Sequence, residues 1–170
     1  MDIDKFGNGI NMDELNKLIK KYRLKDLNFR NANREYTIEF NRQPILQLEG
    51  DSGTGKSLLA HDLKEQRGRI DNFPEILVID AINYETLELI RLHRVDKYNL
   101  IVIDNADILI DKEIDRIICE MLTNSRIYWI IMGRNWFNCC SYEGCRCVLE
   151  SKHFRNKHTF RTKYINTMLD

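Results

Sequence analysis

The sequence has no excess of either charge, almost no proline and no long apolar run. Twenty-six lysines and arginines stand against twenty-six aspartates and glutamates, so no broad field draws the whole molecule onto nucleic acid or an anionic membrane. No stretch approaches the ~18 consecutive apolar residues of a membrane-spanning helix. The start, Met1-Asp2-Ile3-Asp4, has neither the basic residues nor the apolar run of a secretory signal. These absences predict a cytoplasmic protein without a membrane role. Five cysteines are expected to stay mostly reduced there, and an odd number cannot all pair internally, which excludes a disulfide framework. No internal repeat is present, so a solenoid is excluded. The two prolines, Pro44 and Pro74, each stand just ahead of an apolar run and mark where strands begin.

What is present is enough apolar sequence for a core. The chain has 170 residues, of which 43% are hydrophobic, a size and composition that predict one compact domain spanning residues 1–170. Within it, residues 1–43 read as an extension, 44–150 as the core and 151–170 as a basic, aromatic tail or hairpin. Asn11 followed by Glu14 resembles a capping box, and Leu15, Leu18, Ile19 and Tyr22 share one face of the helix it would open. Residues 27–29 and 36–40 alternate like half-buried strands, with Asn31, Ala32, Asn33 and Arg34 as the turn of a hairpin.

From residue 44 the pattern is regular. Strands are predicted at 45–48, 76–79, 100–103 and 127–132, with helices starting near Gly55, Tyr84 and Lys112 between them. Short, nearly all-apolar strands separated by helices are what a parallel sheet covered on both faces requires. The expected class is therefore α/β, a three-layer αβα sandwich with a mostly parallel sheet, preceded by the N-terminal helix and hairpin. Residues 147–150 suggest a fifth strand, and 154–164 a hairpin turning at Asn156 and Lys157.

The chemistry begins where the first core strand ends. Gly50, Asp51, Ser52, Gly53, Thr54, Gly55, Lys56 and Ser57, leading into Leu58, match a glycine, four residues, then Gly-Lys-Ser, between a strand and a helix. Glycines let successive N–H groups curl toward phosphate oxygens, and the helix N-terminus adds partial positive charge. Lys56 is expected to reach the β and γ phosphates, and the Ser57 hydroxyl to ligate Mg²⁺, a hard cation that takes oxygen ligands. Downstream, Leu100-Ile101-Val102-Ile103-Asp104 is an apolar strand ending in a carboxylate, which assigns Asp104 to the metal side.

These two motifs resemble those of the P-loop NTPase superfamily over residues 44–132, and the strand-end pattern resembles its additional-strand branch, with the AAA+-like ATPases nearest. The resemblance implies a P-loop NTPase fold, ATP and Mg²⁺ as ligands, and protein partners or a homo-oligomer. In similar ATPases the residue after the strand-end aspartate is usually a glutamate that polarises the attacking water. Here it is Asn105, whose amide orients water but cannot take its proton. Asp107 is a substitute base on one reading and a helix-start charge on another. Arg134 and Asn135 follow the fourth strand, where similar ATPases carry a residue that senses the γ phosphate; fixed donors there would stabilise spreading charge. About forty residues follow that strand and they do not read as the helical bundle of an AAA+ lid, which argues against a full motor of that family, and the glycine-rich signature of transporter-type ATPases is missing. No Asn-Lys-x-Asp element follows the fourth strand, which leaves adenine as the base by default.

Two further groups are ambiguous. Cys139, Cys140, Cys145 and Cys147, with His153 and His158 nearby, are soft ligands suited to zinc, or small buried apolar residues. Lys152, Arg155, Lys157, Arg161 and Lys163 alternate with Phe154, Phe160 and Tyr164, which reads as a nucleic-acid surface or as a hairpin with aromatics inward and cations outward. Three functions stay open: an ATPase of weak or partner-dependent turnover, a nucleotide-dependent switch, and a small phosphotransferase using Arg67 and Arg69 as lid arginines.

Overall fold

The computed structural model describes residues 25–40, 45–51, 53–82, 88, 97–106, 127–134 and 145–165. Its strands are β1 (Asp26–Asn31), β2 (Arg34–Glu39), β3 (Ile45–Glu49), β4 (Ile76–Asp80), β5 (Leu100–Asp104), β6 (Tyr128–Gly133), β7 (Cys145–Phe154) and β8 (Lys157–Tyr164), with helix α1 (Lys56–Glu65) between β3 and β4. All eight strands join one sheet in the order β1-β2-β8-β7-β3-β6-β5-β4. The pairs β1–β2 and β7–β8 are antiparallel. The pairs β2–β8, β3–β7, β3–β6, β5–β6 and β4–β5 are parallel.

The expected three-layer αβα sandwich with a mostly parallel sheet is thereby corrected. The described residues form a mixed eight-stranded sheet carrying a single helix, and strand dominates them. The physical reason lies in two hairpins. Asn31 pairs with Arg34 and Phe154 with Lys157, so each hairpin closes through a two-residue turn. Ala32 and Arg155 take positive φ in those turns, 54° and 56°, the hand that matches the twist of antiparallel strands. The second hairpin turns at Arg155 and Asn156, one residue earlier than expected, and its first strand begins at Cys145. Because β8 then pairs with β2, the N-terminal hairpin is part of the same sheet. The helices expected near residues 11–22 and from Lys112 lie outside the described residues, as does nearly all of the one expected from Tyr84.

The four core strands fall within a residue of their predicted positions because each is apolar on both faces. Ile45, Leu46 and Leu48 of β3, Ile101 and Val102 of β5, and Trp129 and Ile130 of β6 are all buried. On one face Leu59 and Leu63 of α1 join Leu46, Leu48, Ile130 and Met132 in the core, each leucine contributing about 1.5–3 kcal/mol on burial. The same cluster extends to Leu27, Tyr36 and Phe160, so the hairpins and α1 share one core. Among the described residues no helix is long and apolar enough to cross a membrane.

Candidate functional site

Parallel strands all end at the same edge of a sheet, and that edge carries the chemistry. Gly50 leaves β3 and its N–H donates to the carbonyl oxygens of Gly133 and Arg134, at 3.2 and 3.0 Å. This pins the base of the loop to the end of β6. Beside it, Arg146 of β7 grips Glu49 with two hydrogen bonds of 3.0 and 3.1 Å. The loop then curls over its own lysine. The Lys56 ammonium is buried and donates to the carbonyl oxygen of Gly50, to that of Asp51 at 3.0 Å and to Thr54 Oγ1 at 3.3 Å. A flexible ammonium ringed by neutral oxygens can exchange them for charged ones at little conformational cost.

Gly55 is the N-cap of α1, with φ 105° and no side-chain cap, and the first turn has no acidic residue. The positive end of the helix therefore carries no compensating side chain, which suits an anion. Glycine is required there for a second reason: a Cβ would stand 2.8 Å from Cε1 of Phe160. Asp51 and Thr54 are exposed, and Thr54 Oγ1 donates to the Asp51 carbonyl at 2.9 Å. Leu58 is half-buried and packs on the core. Of the loop, Ser52 lies outside the described residues.

At the second residue of the helix, Ser57 Oγ donates to Asp104 Oδ2 at 3.4 Å. Octahedral Mg²⁺ with ~2.1 Å bonds sets neighbouring oxygens about 3.0 Å apart, so this hydroxyl and carboxylate oxygen need draw only slightly closer to share its shell. Burial pushes the Asp104 carboxyl above its usual range, and the nearby Asp80 charge adds to that, against the pull of the Asn105 N–H, Ser57 and Lys56. A carboxylate that is costly to ionise alone gains most from a cation.

Asn105 departs from β5 with φ 56°, the left-handed conformation that asparagine tolerates best among residues with a Cβ. Its backbone N–H donates to Asp104 Oδ1 at 2.9 Å and its side-chain Nδ2 to Asp80 Oδ1 at 3.1 Å. Asp80 went unnoticed in the sequence, yet the signal was there: residues 76–80, Ile-Leu-Val-Ile-Asp, repeat the design of residues 100–104, Leu-Ile-Val-Ile-Asp. The two strands pair in register so that Asp80 faces Asp104. Arg134 is exposed at the end of β6, its carbonyl bonded to the loop base. Asp107 and Asn135 lie outside the described residues.

A buried network fastens the loop helix to the first hairpin. Asp62 of α1 accepts hydrogen bonds from Asn31 Nδ2 at 2.6 Å, from Arg34 Nε and Nη2 at 2.7 and 2.8 Å, and from the Tyr36 hydroxyl at 2.5 Å. Phe29, Tyr36 and Phe160 stack across β1, β2 and β8 at 4.7 and 4.9 Å, and Phe160 reaches Gly55.

The other candidates separate. Arg67 and Arg69 lie beyond the far end of α1, about 15 Å of helix from the loop, so they do not cover it. Cys147 is buried in the core, while His153 and His158 face each other across the tip of the β7–β8 hairpin. Six residues of strand, about 20 Å, part Cys147 from His153, so these two do not share a metal; Cys139 and Cys140 lie outside the described residues. Of the basic tail, Lys157 pairs with Glu35, Arg161 with Glu39 and Lys163 with Glu150, at 2.6, 3.5 and 3.8 Å. Phe160 is buried and the Tyr164 hydroxyl bonds the Glu39 carbonyl.

No family model matches the sequence, and no curated protein matches it. Among solved structures, RNase-L Inhibitor is similar in fold: TM-score 0.51 at 10% identity, over 96% of this chain and 47% of that one. The chain spans about half the length of that neighbour.

Proposed function

We propose that the chain binds ATP with Mg²⁺ at the loop formed by residues 50–58 and hydrolyses it slowly, or when a protein partner or second copy completes the site. The observation that carries this reading is the convergence of Lys56, Ser57 and Asp104 at one sheet edge, with Ser57 and Asp104 bonded to each other. The strand order supports it too: β6 lies between β3 and β5, an extra strand between the loop strand and the metal-side strand, for which the additional-strand branch is named.

In this reading Lys56 leaves the loop carbonyls for the β and γ phosphates, and the loop N–H groups with the uncapped start of α1 cradle the remaining oxygens. Ser57 and Asp104 hold Mg²⁺, which when bound neutralises charge on the phosphates. Asn105 holds the attacking water. Because an amide cannot accept the water's proton, turnover is slow, and an ATP-dependent switch is the second reading that Asn105 favours.

The test is calorimetric titration with ATP and with GTP in Mg²⁺, with phosphate release followed over hours in the same samples. ATP binding with slow release is expected, and Lys56→Ala abolishes binding. Absence of ATP binding by the unaltered protein overturns the proposal.

A further inference from the structure

Asn105 poses a problem that its neighbour answers. A carboxamide presents either its oxygen or its NH₂ to a given direction, and only the oxygen can accept a hydrogen bond from water. Asp80 Oδ1, which receives the Asn105 Nδ2 bond of 3.1 Å, also accepts the Ile82 N–H at 3.0 Å. An ionised carboxylate accepts and never donates, so it holds the NH₂ of Asn105 toward itself and turns the amide oxygen away. Asp80 is itself held by that Ile82 bond and by the chain around it, where the Ala81 N–H donates to the Asp104 carbonyl at 2.9 Å. A line of hydrogen bonds thus runs from Ser57 through Asp104 and Asn105 to Asp80.

We infer that Asp80 is a positioning residue for hydrolysis: it fixes the Asn105 amide so that Oδ1 is the acceptor for the attacking water. The inference rests on the ATP reading above. In the step it serves, the water oxygen bonds to the γ phosphorus as the bond to the β–γ bridging oxygen breaks. ADP leaves with that electron pair, and the water's proton passes to a phosphate oxygen, since the amide cannot take it. Asp80 acts only through Asn105.

The assignment has a reciprocal form that tests it. In Asp80→Leu no acceptor is left for the Asn105 Nδ2, so the amide is free to turn and present its NH₂ where the water should meet Oδ1. Exchanging the pair, Asp80→Asn with Asn105→Asp, rebuilds the same bond with donor and acceptor reversed, and leaves a carboxylate oxygen beside the water that can take its proton. Phosphate release at saturating ATP and the Kd for ATP are measured on the unaltered protein, the single variant and the exchanged pair, with thermal melting alongside. Asp80→Leu is expected to lower kcat roughly a hundredfold, the scale of a misplaced reacting group, with Kd for ATP unchanged. The exchanged pair is expected to match or exceed the unaltered protein. An unchanged kcat in Asp80→Leu overturns the inference, as does an exchanged pair no faster than the single variant. Where the unaltered protein binds ATP without measurable release, the exchanged pair must gain release, and its failure to do so also overturns the inference. Failure of the unaltered protein to bind ATP strikes the nucleotide reading instead.

Discussion

Gly55 has room for a hydrogen and nothing larger. At φ 105° a residue with a Cβ is strained, and that Cβ would press on the ring of Phe160 at 2.8 Å. Gly55→Ala is expected to lose about 1–2 kcal/mol from the backbone alone, with a further loss as Phe160 is displaced. Thermal melting of Gly55→Ala with and without Phe160→Leu separates the two, because the second change relieves only the contact. Asn105 is a comparable case. The sequence suggests that Asn105→Glu restores a missing base and raises turnover, but the side chain at 105 lies against Asp80, and its left-handed backbone disfavours glutamate. The expectation becomes that Asn105→Glu alone melts lower and gains little turnover, the gain appearing when Asp80→Asn removes the repulsion; phosphate release and melting on both variants check it.

At the scale of elements, α1 is joined to the β1–β2 hairpin by one carboxylate. Burial pushes the Asp62 carboxyl upward, yet the hydrogen bonds from Arg34, Tyr36 and Asn31 together hold it below its ordinary value of 3.8. A depressed carboxyl stabilises the fold above its unfolded pKa, and that contribution is lost as pH falls through the folded value. Tyr36 runs the opposite way: burial first, then the Asp62 bond, raise its hydroxyl well above 10.0, so its contribution is complete below that pH and lost in stronger alkali. Stability is expected to fall on the acid side below about pH 4 and on the alkaline side above about pH 10. Asp62→Asn should flatten the acid limb and cost about 3 kcal/mol by leaving Arg34 without its partner, and Tyr36→Phe should flatten the alkaline limb at about 1–3 kcal/mol. Denaturant titrations across pH measure both.

Little of this network was legible beforehand. Asp62 occupies a helical position like any solvated charge, and its partners Asn31 and Arg34 read as turn residues 28–31 positions away. The nucleotide loop and the Asp104 strand were legible because their function depends on local spacing. Asp80 was overlooked because a single aspartate after an apolar strand also reads as the start of a loop.

For the whole molecule, the positions of β3 to β6 could be read from continuous apolar runs, whereas the sheet to which they belong could not. β7 carries Lys152, His153 and Phe154 in a tip that is exposed on both faces, so only its residues 147–150 read as a strand. That β8 inserts between β7 and β2 is a pairing between distant segments, and local periodicity carries no information about partners. The antiparallel hairpins make the sheet mixed, and that insertion joins the first of them to it.

The insertion also sets an order of events during synthesis. The Glu39 N–H finds its Thr162 acceptor 123 residues later in the chain, so when β1 and β2 leave the ribosome the outer edge of β2 has no strand to meet. At about 5–20 residues per second that edge waits on the order of ten seconds for β8. Until then Asp62 can already tie the hairpin to α1, since all of its partners have emerged, and the hairpin is held near the nascent core before its sheet exists. The carboxylate that fastens the finished protein is thus placed to act first as a tether for an unfinished one.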